Sequence, residues 1–367
     1  RTLGASRFPM WAGPKGWQTS AHNPTVLDAI LTGRPYPVRA MYVSGVNIAV
    51  TYPDTQKVMA ALKSLDFLVV ASHMMTPTSE IADIVLPKTT GLEEEEVSLE
   101  PSAQIVCYTN PVKPPENEAR SDFDFTTDLA RRLEARGIDT RKFFPWETKQ
   151  EFNEYLLGDE VDWKVLKEKG WAPFDFKLGN FDEAGFKTPS GRIELRSDAL
   201  DALGIDPLPA YEPPRIDSTD DATRQAYPLV LITGAREKTY HHSRYRDQAW
   251  ARKVSPFPLL QVHPETATAA GLSDGDWVSV ETPGIDGRCK LKVTITEETG
   301  IGTVRTGMGW WLPEAPGPER GALDVNVNAA LSYDGPWDPV TGSADTRGLP
   351  CRLTPVPEGE IPMKEIA

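Results

Sequence analysis

A change in hydrophobic period near Tyr227 constrains this chain more than any other feature. Between Pro37 and Pro87 the apolar run "VRAMYVSG" leads into Ser44 and Gly45. It is followed by the amphipathic segment "TQKVMAALKSL", the buried run "DFLVVAS", and "SEIADIVLP", which reads as a helical turn leading to a third strand. Strand, helix and strand in that order predict a parallel sheet with right-handed crossovers. After Tyr227 the period becomes that of short strands: "PLVLIT", "LLQVH", "DWVSVETP", "CKLKVTIT", "GTVRTG" and "CRLTPV". Six such strands with one short helix, "PETATAAGL", predict a small closed barrel, because closure removes exposed sheet edges. A chain of 367 residues has room for both parts.

The organisation expected is an α/β domain over residues 1–205, a linker over 206–226 and a β-barrel domain over 227–367. The linker assignment rests on "IDPLPAYEPPRIDSTDDA", which is acidic, poor in apolar residues and punctuated by proline. Between Pro111 and Pro214 the clear element is a helix at "FDFTTDLARRLEARG", closed by Gly137. The acidic run Glu93 to Glu96 reads as a solvated face or a helix start.

Composition removes several function classes. The net charge of −14, with scattered basic residues, argues against a nucleic-acid partner, which requires clustered Lys and Arg. Three cysteines, Cys107, Cys289 and Cys351, lie too far apart in sequence for a disulfide framework or a CxxC-type zinc or iron–sulfur site, and read as packed thiols. No apolar run reaches membrane-spanning length, and no export signal opens the chain, so the expected location is cytoplasmic; an export signal in a preceding portion would make it periplasmic. No nucleophile elbow, GxGxxG after a strand or HExxH is present, which disfavours an ordinary hydrolase or dehydrogenase.

The chemistry-bearing stretch is "LVLITGAREKTYHHSR", residues 229–244, where a buried strand opens into a crowd of polar groups. Gly234 permits close backbone approach to a ligand. Arg236 offers a planar fork for phosphate or carbonyl oxygen, and Glu237 offers acceptors for an amino group. His242 and Ser243 are donors; His241 points the other way if the segment is extended. The pair Trp310 and Trp311 reads either as a wall of a substrate funnel or as core packing.

The barrel stretch "VHPETATAAGLSDGDWVSVETP", together with "MTPTSEIADIVLP", "FKTPSGRIEL", "NPTVLDAILTGRPYPVRA" and "FPW" at 144–146, resembles the molybdopterin oxidoreductases of the dimethyl sulfoxide reductase family. The branch holding acetylene hydratase and the thiosulfate and polysulfide reductases is the most similar. The resemblance runs from about Asn23 onward and implies that the barrel is of the double-psi type. It also implies a bis-molybdopterin guanine dinucleotide cofactor carrying Mo or W.

By this resemblance the loop at 233–243 grips one dinucleotide through Gly234, Arg236, Glu237, His242 and Ser243. Gly45 and Asn47 match a Gly-x-Asn-Pro turn beneath a dinucleotide, with Ile48 in place of the proline. Ser72 stands where the family has an aspartate that reads guanine; serine lacks the bidentate contact, leaving His73 or backbone groups to substitute. Thr76 and Thr78 are expected either to cap the next helix or to bond a ribose or phosphate. In the closing block Asn328, with Asn326 as the alternative, would read the pterin ring, and Arg347 would lie close to it.

The resemblance further implies that the metal ligand and a 4Fe-4S cluster belong to an N-terminal portion, since no cysteine precedes Cys107. The chain is thus expected to supply no catalytic residue and no metal ligand of its own. The expected partners are a polypeptide carrying the N-terminal half, an iron–sulfur electron-transfer subunit and a small-molecule substrate. Absence of an initiator methionine fits either a separate subunit or a fragment. Two alternatives stay open: a non-redox hydratase or hydroxylating enzyme on the same scaffold, and a non-catalytic subunit that lost the cofactor.

Overall fold

A computed structural model describes residues 2–12, 20–100, 102–159, 161–173, 179–208, 210–235 and 237–363. The chain divides into two compact units. Arg1–Val70, Met75–Ile84 and Ser197–Ala367 form one, and Ala71–Met74 with Val85–Arg196 form the other.

The N-terminal segment contains α1 (Asn23–Thr32), β1 (Ala40–Ser44), α2 (Ile48–Thr51), α3 (Thr55–Lys63), β2 (Phe67–Ser72), α4 (Pro77–Glu80) and β3 (Ile84–Pro87). The strands pair in the order β1-β2-β3 as a parallel sheet, as the strand–helix–strand pattern predicts. Helix α3 begins where the Asp54 carboxylate accepts from the Lys57 amide at 3.0 Å, satisfying one orphan donor of its first turn. Its apolar stripe, Val58, Ala61 and Leu62, packs with Leu27, Val43, Leu68, Val70 and Tyr333.

After Tyr227 the six predicted strands appear: β7 (Leu229–Ala235), β8 (Leu259–Val262), β9 (Trp277–Glu281), β10 (Arg288–Ile295), β11 (Thr303–Gly307) and β12 (Arg347–Pro355). They close into a barrel in the order β10-β8-β11-β7-β12-β9. The pairs β10–β8 and β11–β7 are parallel and the remaining four antiparallel, so the barrel is mixed. Strand β10 shows the period-2 pattern plainly, with Cys289, Leu291 and Val293 buried between more exposed neighbours. These join Leu231, Leu260, Val262, Val278, Val280, Val304, Leu349 and Cys351 in one core. Burying each large aliphatic member contributes about 1.5–3 kcal/mol, which makes this core the main stabilising mass of the barrel. The helix Pro264–Ala270 ends at Gly271, and the turn through Gly275 is closed by its amide on the Val293 carbonyl at 2.9 Å. The described residues of 206–226 are mostly exposed and include two short helical segments, Arg215–Ser218 and Asp221–Ala226, with Ile216 tucked inward.

In the second unit an antiparallel sheet, β4 (Glu96–Glu100), β5 (Ile105–Thr109) and β6 (Trp171–Pro173), forms in that order. It packs through Val106, Tyr108 and Ala172 against Val161 and Leu166. The predicted helix is α5 (Asp122–Glu134), opened by a reciprocal capping box between Ser121 and Asp124. The reading of Glu93–Glu96 as a solvated face or helix start does not hold. Glu93 is buried, accepts from the Thr90 amide at 2.8 Å and pairs with Lys113 at 3.3 Å, and Glu96 opens β4. The Thr90 amide, more than any other group, holds the Glu93 carboxyl below its ordinary range.

Burial pushes the thiols of Cys289 and Cys351 up, that of Cys351 to about 12, whereas Cys107 is only half-buried. Unfolded thiols ionise near about 8.5, so the folded barrel holds those two protons where the unfolded chain releases them. Stability contributed by the two thiols is therefore complete below about pH 8 and lost as pH rises towards 12. A thiol reagent at pH 8 is expected to modify Cys107 rapidly in the native protein and Cys289 and Cys351 only on denaturation. Rapid native labelling of either barrel cysteine, read by mass spectrometry, would contradict this packing.

Candidate cofactor-binding site

The elements that meet at the site belong to the first unit and are organised by α2. This helix has four residues, three of them buried, so its terminal backbone groups require partners from elsewhere. The Ala49 amide donates to Thr78 Oγ1 at 3.0 Å. The Val50 carbonyl accepts from Asn326 Nδ2 at 3.0 Å and from Asn328 Nδ2 at 2.9 Å. Just after the helix, the Asp54 amide donates to the Asn328 carbonyl at 2.8 Å. Asn326 and Asn328 are both almost fully buried, and this accounts for their shared donor chemistry.

Asn47, immediately before α2, is buried and joins the loop after β1 to the loop after β7. Its Oδ1 accepts from Thr78 Oγ1 at 2.6 Å and from the Thr78 amide at 3.3 Å, and its Nδ2 donates to Ser243 Oγ at 2.9 Å. Trp311, buried behind the loop, donates from Nε1 to the same Ser243 Oγ at 3.1 Å. A second tie joins α4 to the segment before Gly321: Arg320 Nε donates to Glu80 Oε1 at 2.8 Å and its Nη1 to the Pro313 carbonyl at 2.6 Å.

The loop itself turns sharply. His242 has φ of 54°, a left-handed conformation uncommon for a side-chain-bearing residue. The alternation argument that set His241 opposite His242 therefore does not apply, since the segment is not extended there. His241 instead bridges to Arg244 and meets the His242 ring edge-on at 5.1 Å. Two neighbours stabilise the turn. Arg246 Nε donates to the His242 carbonyl at 3.0 Å, and Gly309 leaves room for the ring, because a Cβ there would lie 3.2 Å from His242 Nδ1.

Arg246 is wholly buried, with its guanidinium 4.0 Å from the Trp310 ring centre and 4.2 Å from that of Tyr240. Its Nη1 and Nη2 have no hydrogen-bond partner, and neither does the indole N–H of Trp310. Burial lowers the Arg246 pKa to about 9. The region behind the loop is thus rich in donors and poor in acceptors.

The remaining predicted residues fall as follows. Gly234 has φ of 83°, and an added Cβ would meet the Arg347 guanidinium at 3.2 Å, so the ends of β7 and β12 bring these two together. Arg347 is exposed and Glu237 half-buried. Arg236 lies outside the described residues. Gly45 turns the chain after β1 with φ of 71°. Thr76 caps α4, accepting from the Ser79 amide at 3.2 Å. Ser72 and His73 belong to the second unit, where the Ser72 hydroxyl closes a turn on the Met74 carbonyl at 2.8 Å and His73 is exposed. The structure therefore gathers Asn47, Thr78, Ser243, Asn326 and Asn328 around α2 and sets Gly234 beside Arg347. The parts of Trp311 and Arg246 were not legible in the sequence; the one available sign was a tryptophan pair behind a glycine.

With this geometry in view, two family models match the chain. The one described as "Molybdopterin oxidoreductase" covers residues 23–132, and the one described as "Molydopterin dinucleotide binding domain" covers residues 229–350. The chain carries both a molybdopterin oxidoreductase domain and a molybdopterin dinucleotide binding domain. Acetylene hydratase of Syntrophotalea acetylenica is 33% identical over 340 residues, covering 89% of this chain and 45% of that protein. Dopamine dehydroxylase of Eggerthella lenta is 25% identical over 427 residues, covering 96% of this chain and 41% of that protein. The molybdopterin-containing subunit of thiosulfate reductase from Salmonella typhimurium is 26% identical over 319 residues, covering 78% and 40%. The solved structure of acetylene hydratase from Pelobacter acetylenicus superimposes with a TM-score of 0.86 at 29% identity, covering 96% of this chain and 51% of that one. The chain thus spans about half the length of the relatives it matches.

Among the described residues no group of three or more His, Cys, Asp or Glu is placed to hold a metal ion, and no helix is long and apolar enough to cross a membrane.

Because the Arg246 guanidinium is desolvated with two nitrogens unpartnered, Arg246→Met is expected to leave the unfolding free energy unchanged or to raise it by about 1 kcal/mol. Chemical denaturation measures this. A loss above about 2 kcal/mol would show that the guanidinium has acceptors that compensate its burial.

Proposed function

We propose that this chain is the C-terminal, cofactor-binding portion of a molybdenum- or tungsten-dependent enzyme. It would hold a bis-molybdopterin guanine dinucleotide whose metal ligand and iron–sulfur cluster come from an N-terminal portion or partner chain. The observation that carries the reading is the joint at α2: residues of the parallel sheet segment and of the β7 loop meet through the Asn47–Ser243 hydrogen bond, inside the two regions that the family models match.

The residues present fit such a group. A pyrophosphate presents acceptor oxygens, and the loop offers the Ser243 hydroxyl, the His242 ring and a buried cation behind them in Arg246. Gly234, with no side chain, leaves room against the end of β7 for the exposed Arg347 guanidinium, a planar donor fork suited to phosphate or pterin carbonyl. When bound, the metal centre supplies oxygen-atom or electron transfer. This chain's residues bind and orient: Ser243 and His242 donate, Arg347 contributes charge, and Asn326 and Asn328 keep α2 against the barrel. Gly45, Thr76, Glu237 and Arg236 complete the proposed contact set of the first unit, and Ser72 and His73 are the proposed contacts of the second. Thr76 would act through its cap, and Ser72 or His73 would stand where an aspartate reads guanine. A substrate, an electron-transfer subunit and a cytoplasmic or periplasmic location belong to the whole enzyme.

A second reading, a hydratase on the same scaffold, is favoured by the similarity to acetylene hydratase in both sequence and structure. It differs in needing no electron donor or acceptor for turnover.

Acid extraction of the full enzyme containing this chain is expected to release a pair of guanine nucleotides for each molybdenum or tungsten ion, measured by chromatography and metal mass spectrometry. An assembled protein with neither metal nor pterin would instead support a subunit that has lost its cofactor. Turnover of an alkyne without any redox partner would select the hydratase reading.

A further inference from the structure

Ser243 Oγ receives two hydrogen bonds from groups that can only donate. Trp311 Nε1 is a donor without acceptor capacity, 3.1 Å away. Asn47 could in principle present either end of its amide, but the Thr78 backbone N–H, itself only a donor, faces the other end at 3.3 Å. That contact fixes Oδ1 towards Thr78 and Nδ2 towards Ser243. The Thr78 hydroxyl accepts from the Ala49 amide and so sends its own proton to Asn47 Oδ1, at 2.6 Å. Every link in this chain therefore runs one way: from the Ala49 amide to Thr78, from Thr78 to Asn47, and from Asn47 to Ser243.

A hydroxyl has two lone pairs and one proton. With both lone pairs of Ser243 occupied, the remaining capacity of this half-buried side chain is to donate. Hydrogen bonds aligned in one direction polarise each other, which strengthens the last donor in the series.

We propose that Thr78, Asn47 and Trp311 are positioning residues that make Ser243 an obligatory hydrogen-bond donor, directed at a phosphate oxygen of the dinucleotide. The assignment rests on the proposed role of the 233–243 loop and adds a selectivity to it. Ionised pyrophosphate oxygens only accept, whereas the pterin and guanine edges also carry N–H donors. Ser243 in this arrangement takes an acceptor oxygen and rejects the N–H donors of those edges. Trp311 then serves neither as a funnel wall nor as packing alone, and Thr78 acts on the cofactor at a distance, through two intervening side chains.

The test is the rate at which cofactor is lost from the holoenzyme, followed by fluorescence of the released, oxidised pterin. Ser243→Ala is expected to speed loss about tenfold, since a hydrogen bond to a charged acceptor is at stake. Thr78→Val and Trp311→Phe are expected to speed it about three- to tenfold, and Thr78→Ser, which restores the hydroxyl, to stay near wild type. Because Thr78 and Trp311 act through Ser243, neither Thr78→Val nor Trp311→Phe is expected to accelerate loss further once Ser243→Ala is present. Multiplying effects in both double variants, or failure of Thr78→Ser to rescue, would overturn the positioning role while leaving the loop's role intact. An unchanged rate in Ser243→Ala itself would instead remove the dinucleotide from this loop, and the positioning role with it. If Thr78→Val fails to fold, the Trp311→Phe cycle alone decides.

Discussion

A four-residue helix cannot satisfy its own backbone, and α2 is buried. Unpaired polar groups in an apolar interior cost about 1–3 kcal/mol each, so the partners found for them are structural obligations. Those partners come from two directions. Thr78, from the segment beyond β2, takes the Ala49 amide; Asn326 and Asn328, from the segment between β11 and β12, take the Val50 carbonyl. The helix is thereby a joint between the sheet segment and the barrel, held by residues of the segments that bear the site.

The electrostatics follow from the same economy. Thr78 is committed to Asn47, and Asn47 and Trp311 to Ser243, while the cationic Arg246 lies beneath the loop after β7. A buried guanidinium with unpartnered nitrogens is costly to the fold. Such a cost is of a kind usually met at sites shaped for a ligand rather than for stability. Here it backs a turn in which His242 is held left-handed by the Arg246 bond to its carbonyl and by the space over Gly309. On the proposed reading, this surface would face an anionic, acceptor-rich dinucleotide.

Much of the architecture was legible because local period and global environment agree. Strand β10 alternates and is half-buried, α3 carries one apolar stripe, and the proline and glycine of "PETATAAGL" bound the helix they predict. The β4-β5-β6 sheet was missed for physical reasons. Its first strand lies at the end of a run of four glutamates, of which Glu93 is met by Lys113 and the Thr90 amide and Glu96 by Lys149, and its last is three residues long with a proline. At the site, residue types suited to phosphate could be read from "GAREKTYHHSR", but their orientation could not. The His241–His242 alternation fails at a single positive φ, and the partners of Ser243 lie 196 and 68 residues away in sequence. Long-range pairing of polar groups leaves no local period. For that reason Thr78 looked like a cap or a ligand, and Trp311 like packing.

Amide hydrogen exchange at Ala49 and Asp54 reports most directly on the joint, because both N–H groups are held by partners distant in sequence, Thr78 Oγ1 and the Asn328 carbonyl. If sheet segment and barrel are one cooperative structure around α2, these two amides will open with the same free energy as core amides of the barrel, such as that of Leu291. Exchange at the rate of a frayed surface turn, with the barrel amides still protected, would contradict the account.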